Sequence, residues 1–233
     1  VARTLFERGD VIKAIDGVDI KKYLEWSERF ISGSPQWKRQ LAMRLFGRGP
    51  DGTSASLTVL RGTKVYEFTG DRTVKGTFTN TSREPVSQVR KGIYYIDLDK
   101  IKLKYFQSAL KSLADARGIV FDARGYVDFE KCQLLAHLIE ESVKVPPMKV
   151  PLIAYPDRRN VEFSERSWSI EPASPRLTAK CVFLSHGFTI SASESFLSVV
   201  ENYNLGEILG QPTAGANGNI NKIELPGEYT VIW

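Results

Sequence analysis

Hydrophobic and polar positions divide the chain into two textures. In the first, "RGDVIKAIDGVDI" (8–20) alternates apolar and polar residues on either side of Asp16-Gly17, a dipeptide suited to a tight turn, and predicts a two-strand hairpin. Residues 21–46 place Tyr23, Leu24, Trp26, Phe30 and Ile31, then Trp37, Leu41 and Leu45, at three- and four-residue spacings. This predicts helices broken at "SGSP". Aromatics at such spacing more often face a core than line a groove. "GRGPDGTSA" reads as a loop, and "SLTVLRG" with "KVYEFTGD" as a hairpin turning at Arg61-Gly62. Residues 1–71 are thus expected to form a small strand-rich module, and the Thr-, Ser- and Arg-rich residues 72–90 a linker or edge connection.

From 91 to 233 strands and helices alternate. "GIYYIDL" predicts a strand, 103–116 a helix, "GIVFDARG" a buried strand, and "DFEKCQLLAHLIEES" a second helix whose apolar face leaves His137 at the surface or boundary. Short strands at 150–155 and 168–170, the strand "AKCVFLSHG", a helix over 191–203 and the strand "GEILG" follow. Such alternation implies βαβ units, an α/β class and a mixed, mostly parallel sheet. In these sheets ligands sit beyond the carboxyl ends of strands. The two strand ends richest in glycine and polar residues are "FDARGY" and "LSHGFTISASE".

Composition narrows the field. With 233 residues, 42% apolar and 25% charged, the chain suits one large or two small globular domains. Its net charge of +5 is dispersed, without the contiguous basic stripe that nucleic-acid binding needs. No apolar run is long enough for a transmembrane segment. Starting at Val1 and stopping within "YTVIW", the sequence reads as a piece of a longer protein. Cys132 and Cys181 have no metal-ligand spacing; two buried thiols are the first reading and a disulfide the second. No metal or cofactor is expected, and the composition leaves oligomeric state open.

"TISASESF" (189–196) supports two accounts. Ser191 with Glu194 three residues on is a capping box, which satisfies orphan amides at a helix start. Alternatively, a serine at a helix N-terminus is placed for nucleophilic attack, since free amides there favour an oxyanion.

"GIVFDARGY" (118–126), Ser-Ala-Ser-Glu (191–194) and Gly-Gln-Pro-Thr-Ala-Gly (210–215), in that order, resemble the C-terminal processing peptidase family, which includes tail-specific proteases, the tricorn core and interphotoreceptor retinoid-binding relatives. "GDVIKAIDGVDI" resembles the middle of a PDZ domain, although Val1 to Arg8 is too short to hold the carboxylate-binding loop. The resemblance implies a crotonase/Clp-protease-like core preceded by a PDZ-like domain, a polypeptide substrate and, by family, an extracytoplasmic setting. It further implies Ser191 as nucleophile, with the backbone amides of Gly125 and Ala192 as oxyanion hole. His186, Ser193, Thr213 and Gly215 would lie on the site rim, Ser193 taking over local amide bonding. Asp122 and Arg124 are expected to hold the Gly125 loop.

The base is missing. The tail-specific branch resembles a serine with a lysine in Thr-x-Gly-Lys-Gly; aligned from Ser191, that position is Ala216, and Lys222 downstream reads as an ordinary strand residue. The tricorn-like branch, which "TAGANGN" resembles more, uses a histidine and an orienting glutamate that would both lie outside residues 1–233. The expected activity is therefore a serine endopeptidase with an externally supplied base. The alternative is an inactive peptide- or ligand-binding relative. An unrelated crotonase-fold acyl enzyme using a CoA thioester would need an acidic or polar residue where Ser191 sits, and no basic pocket for the adenine phosphates is evident.

Overall fold

Asp16 and Gly17 both adopt positive φ, 48° and 74°, and turn β1 (Val11–Ile15) into β2 (Val18–Asp19) as the dipeptide predicts. The structure, a computed structural model, describes residues 6–72, 84–218 and 220–232. Its chain clusters into two units, 1–82 and 83–233. Residues 1–5, and residues 73–83 of the expected linker, lie outside the described part.

In the first unit α1 (Ile20–Glu28) starts where the Asp19 carboxylate accepts from Lys21 and Lys22 N–H, and α2 (Pro35–Arg44) where the Ser34 hydroxyl accepts from Trp37 N–H. With Pro35 at its first turn, α2 loses no intrahelical bond. β3 (Ser54–Arg61) and β4 (Lys64–Asp71) complete an antiparallel sheet of order β2-β1-β3-β4. Ile15, Ala42, Ala55 and Val59 are buried. The aromatic face of α1 is not core: Trp26 is 56% and Phe30 73% exposed, and no α1 residue is buried. These rings pack on one another instead, Trp26 against Phe30 at 4.9 Å and Tyr23 against Phe46 at 5.6 Å.

The second unit carries the predicted α/β core. β5 (Val86–Arg90), β6 (Ile93–Asp97), β7 (Gly118–Asp122), β12 (Lys180–Ser185) and β13 (Glu207–Gly210) form a sheet of order β13-β12-β7-β6-β5. All its pairs are parallel except β5 with β6. Val86–Arg90, placed by its composition in the linker, is therefore an edge strand. α3 (Leu103–Ala114), a 3₁₀ helix (Phe129–His137) and α4 (Ala192–Asn202) connect the parallel strands. Phe121 of β7 stacks on Phe183 of β12 at 4.9 Å, and Phe183 packs on Phe196 of α4 at 5.9 Å. All three are fully buried. The small strands β8 (Val143–Lys144), β9 (Met148–Leu152), β10 (Glu162–Arg166) and β11 (Ser169–Ile170) pair as β8 with β11 and β9 with β10, and β14 (Lys222–Leu225) pairs with β15 (Tyr229–Ile232).

The segment expected as an α-helix over 128–142 is the 3₁₀ helix, and this changes the fate of His137. A repeat of three places Lys131, Leu134 and His137 in one column, and all three are buried. His137 is thus an interior residue: its Nδ1 lies 2.8 Å from the Pro175 carbonyl and its ring 5.6 Å from that of Phe106. Cys132 and Cys181 are free and buried, and burial pushes both thiols up to about 11. No described helix is long and apolar enough to cross a membrane.

Because Phe183 touches both a neighbouring strand and α4, Phe183→Ala is expected to lower the stability of the second unit by about 3–5 kcal/mol in urea titration. Phe163→Ala, in β10 at 60% exposure, should stay within about 0.5 kcal/mol.

Candidate active site

β12 ends at Ser185, and the chain reaches α4 through His186–Ser191. Ser191 is the N-cap of α4 and has φ 58°, ψ −123°, a conformation that L side chains rarely adopt. Three bonds hold it there. Its N–H lies 3.0 Å from the Ala216 carbonyl and 3.1 Å from Glu194 Oε2, and its carbonyl accepts from Glu194 N–H at 2.8 Å. Ser191 and Glu194 form a capping box, the Ser191 side chain facing Glu194 N–H and the Glu194 carboxylate taking Ser191 N–H at 3.1 Å, although the 2.8 Å bond of Glu194 N–H runs to the Ser191 carbonyl. The capping account therefore rests mainly on the carboxylate, and beyond the capping box the half-buried Ser191 hydroxyl has no hydrogen-bond partner among the described residues.

Glu194 does more than cap. Its Oε1 accepts from the Thr213 hydroxyl and from Gly215 N–H, each at 2.7 Å, and its Oε2 from Ala216 N–H at 3.0 Å as well as from Ser191. One carboxylate so ties the helix start to the loop after β13. Gly210, which ends β13, has φ 131°, and a side chain there would collide with the Ser185 carbonyl. Thr213 and Gly215 thus act through Glu194, and the sequence signalled Glu194 only as a cap.

The end of β7 is fastened to the same place. Ser193, fully buried, accepts from Val127 N–H at 2.8 Å and reaches the Gly125 carbonyl at 3.5 Å. It serves the Gly125 loop and not, as expected from sequence, a local helix amide. Thr189, also fully buried, donates to the Ala123 carbonyl at 3.0 Å and accepts Ala214 N–H on its own carbonyl at 2.8 Å. Thr189 also closes a local turn with His186, whose N–H it accepts at 3.2 Å, but its bonds to Ala123 and Ala214 are remote along the chain and nothing in the local sequence shows them. Gly125 packs so tightly on Asp99 that a Cβ would collide with that side chain, while Asp99 Oδ1 accepts from Tyr126 N–H at 3.0 Å. Arg124 grips Asp122 with two bonds, at 2.8 and 2.6 Å, and Tyr95 donates to the same carboxylate at 2.6 Å. Burial pushes the Asp122 carboxyl up, but the bonds from Arg124 and Tyr95 outweigh it and hold the group below its ordinary value. The Asp122-Arg124 pair thus props the loop as expected. Within this frame the N–H groups of Gly125 and Ala192 have no hydrogen-bond acceptor among the described residues.

His186 lies beside the site but is occupied. Its Nδ1 accepts Phe188 N–H at 3.2 Å, so the ring is neutral with its proton on Nε2. Burial, aided by the Arg124 charge, lowers its pKa. No Lys, His, Asp or Glu side chain bonds the Ser191 hydroxyl among the described residues. Ala216 offers only backbone, and Lys222 is an exposed residue of β14 beside Glu224. No cluster of His, Cys, Asp and Glu suited to a metal occurs among the described residues.

No protein family matches the chain by sequence, and no curated protein does. Solved structures do match. A point mutant of CPAF aligns with TM-score 0.70 over 98% of this chain and 68% of that chain, at 12% identity. Mature CPAF complexed with lactacystin gives 0.68 over 97% and 69%, at 13% identity. A candidate peptidase from Parabacteroides merdae gives 0.52 over 93% and 75%, also at 13%. The chain shares its fold with CPAF and with the candidate peptidase from Parabacteroides merdae.

Two outcomes check this geometry. In either orientation Glu194→Gln sets its amide NH₂ against at least one backbone N–H donor, so it should cost about 1–3 kcal/mol in denaturant unfolding and speed exchange within the group of Ser191, Gly215 and Ala216 amides. His186 should titrate by NMR below its ordinary value of 6.5. Its folded pKa being depressed, the neutral ring's contribution is complete above pH 6.5 and is lost as pH falls through the folded value.

Proposed function

We propose that this chain carries the nucleophile and oxyanion hole of a serine endopeptidase acting on unfolded or C-terminally exposed polypeptide. The observation that carries the proposal is Ser191: a serine strained to positive φ at a helix start, in a frame where the Gly125 and Ala192 N–H groups have no acceptor among the described residues.

In this mechanism Ser191 Oγ attacks the scissile carbonyl while a base from outside residues 1–233 takes the hydroxyl proton. The tetrahedral oxyanion is received by the N–H groups of Gly125 and Ala192. Collapse expels the amine, which takes the proton, and leaves an acyl-Ser191 ester for water to cleave. Losing one such donor costs about 2.7–4 kcal/mol of transition-state stabilisation in known cases. The first unit is read as a partial PDZ-like module, and the setting as extracytoplasmic, on resemblance.

One observation favours a second reading. With His186 engaged and Ala216 in place of a lysine, no described group serves as base, which suits a binding protein that keeps the fold without turnover. A fluorophosphonate probe on the full-length protein separates the two. Stoichiometric labelling that disappears in Ser191→Ala is the expected result, and absence of labelling in the unsubstituted protein would establish the binder.

A further inference from the structure

One buried charge takes no part in the chemistry proposed above: Lys131 of the 3₁₀ helix is only 8% exposed. It stands in one column with Leu134 and His137, on the inward side of the helix, and lysine is seldom buried unless paired. Its ammonium group donates to the Asp99 carbonyl at 3.2 Å and meets Asp128 Oδ2 at 3.1 Å, while Asp128 Oδ1 accepts from Lys131 N–H at 3.1 Å and so starts the helix. The Asp128 side chain is itself 45% exposed. An ion pair with so exposed a partner is worth little, and pairing with Asp128 alone does not account for an interior lysine.

Asp99 is where the lysine gains its meaning. This residue lies exposed in the turn after β6, its N–H bonded to Asp97 Oδ1 at 3.2 Å. Its side chain occupies the space that a Cβ at Gly125 would need, and its Oδ1 accepts from Tyr126 N–H at 3.0 Å. On the other side of the loop, Ser193 accepts from Val127 N–H at 2.8 Å and reaches the Gly125 carbonyl at 3.5 Å. Gly125 is therefore held from two directions, by Ser193 and by Asp99. Ser193 belongs to a helix, whereas Asp99 belongs to an exposed turn, and Lys131 ties that turn to the 3₁₀ helix.

We propose that Lys131 is a positioning residue for the oxyanion donor: through Asp99 it sets the direction of the Gly125 N–H. The proposal rests on the peptidase reading above, which gives that donor its role. Lys131 acts at one remove, through the carbonyl of the residue whose side chain meets Gly125. Without the ammonium group, the turn keeps its bond to Asp97 but loses its tie to the 3₁₀ helix, and the Gly125 loop gains freedom. An oxyanion donor works by being aimed before charge develops, so a loosened aim slows attack by Ser191 and leaves affinity for polypeptide in place.

The test uses the full-length protein with Lys131→Met, Asp99→Ala and the double variant. Lys131→Met preserves the length of the side chain and extends the apolar column, and it strands no buried charge, because Asp128 and Asp99 both reach solvent. Melting temperatures verify that each variant folds, and Asp99→Ala, at an exposed turn position, breaks the same link without altering the interior. Deleting an oxyanion donor costs about 10²–10³ in rate, and loosening one should slow fluorophosphonate labelling of Ser191 by about tenfold in Lys131→Met. Because both substitutions act on one link, the double variant should label within about twofold of Asp99→Ala. Hydrogen exchange read by mass spectrometry should quicken over 123–128 in each single variant and stay unchanged over 213–217, which Glu194 holds by separate bonds. Labelling of folded Lys131→Met at the unsubstituted rate, multiplied losses in the double variant, or unchanged exchange over 123–128 overturns the role. If the unsubstituted protein is not labelled, the peptidase reading falls by itself, and exchange over 123–128 decides whether Lys131 holds the Gly125 loop: quickening supports it and no change overturns it.

Discussion

The Glu194 carboxylate is the interaction on which the site's geometry depends. Each of its oxygens accepts two hydrogen bonds, and the four donors come from the helix start and from the loop after β13. Bonds to an ionised acceptor are stronger than neutral ones, and a shared acceptor couples its donors. What this bridge fixes is the backbone of Ser191. A serine at positive φ costs on the order of 1–3 kcal/mol and persists only where its surroundings over-determine it. Here the surroundings are Ala216 on one side and Glu194 on the other, and Glu194 also holds Ala216.

A second set of bonds brings the end of β7 to the same helix. Ser193 and Thr189, both fully buried, reach the 123–127 loop through hydroxyls and so carry part of the packing between two strand ends. Residues 189 to 194 thereby divide their labour by side chain. Thr189 and Ser193 point to one loop, Glu194 to the other, and Ser191 to neither. The capping and proposed nucleophile accounts of this stretch are compatible for that reason: the helix start is held chiefly by the Glu194 carboxylate and by backbone, so the capping role of the Ser191 hydroxyl is minor. Donors that are unpaired and held by a fixed frame need little reorganisation when charge develops near them, which is the condition for strong oxyanion stabilisation.

How far the sequence foretold this depended on whether the deciding contact was local. β7, β12 and α4 were legible because buried parallel strands and an amphipathic helix write their environment into short apolar patterns. The Asp16-Gly17 turn was legible because few residues accept its two positive φ angles. By contrast, β5 gains its stability from β6, and β10 from β9, so Ser-, Gln- and Glu-containing stretches became strands through partners that composition does not show. His137 was misjudged because an α-helical period was applied to a 3₁₀ segment, where a step of three aligns it with Leu134. Trp26 and Phe30 were misjudged because periodicity marks a helix face without saying whether anything covers it.

The same bonds bear on the missing base. Ala216 stands where a related branch places a lysine, yet both of its contacts here are backbone: its carbonyl receives Ser191 N–H and its N–H meets Glu194. The loop's hold on the serine is consequently independent of the side chain at 216. A catalytic group could leave that position without disturbing φ at Ser191, the Gly125 loop or the unpaired donors. Proton transfer needs a base within hydrogen-bond reach of the hydroxyl, but it does not require that base to come from the segment that positions the nucleophile. The backbone of Ser191 is thus positioned by bonds in which the side chain at 216 takes no part, and the proposed mechanism can draw its base from elsewhere without altering them.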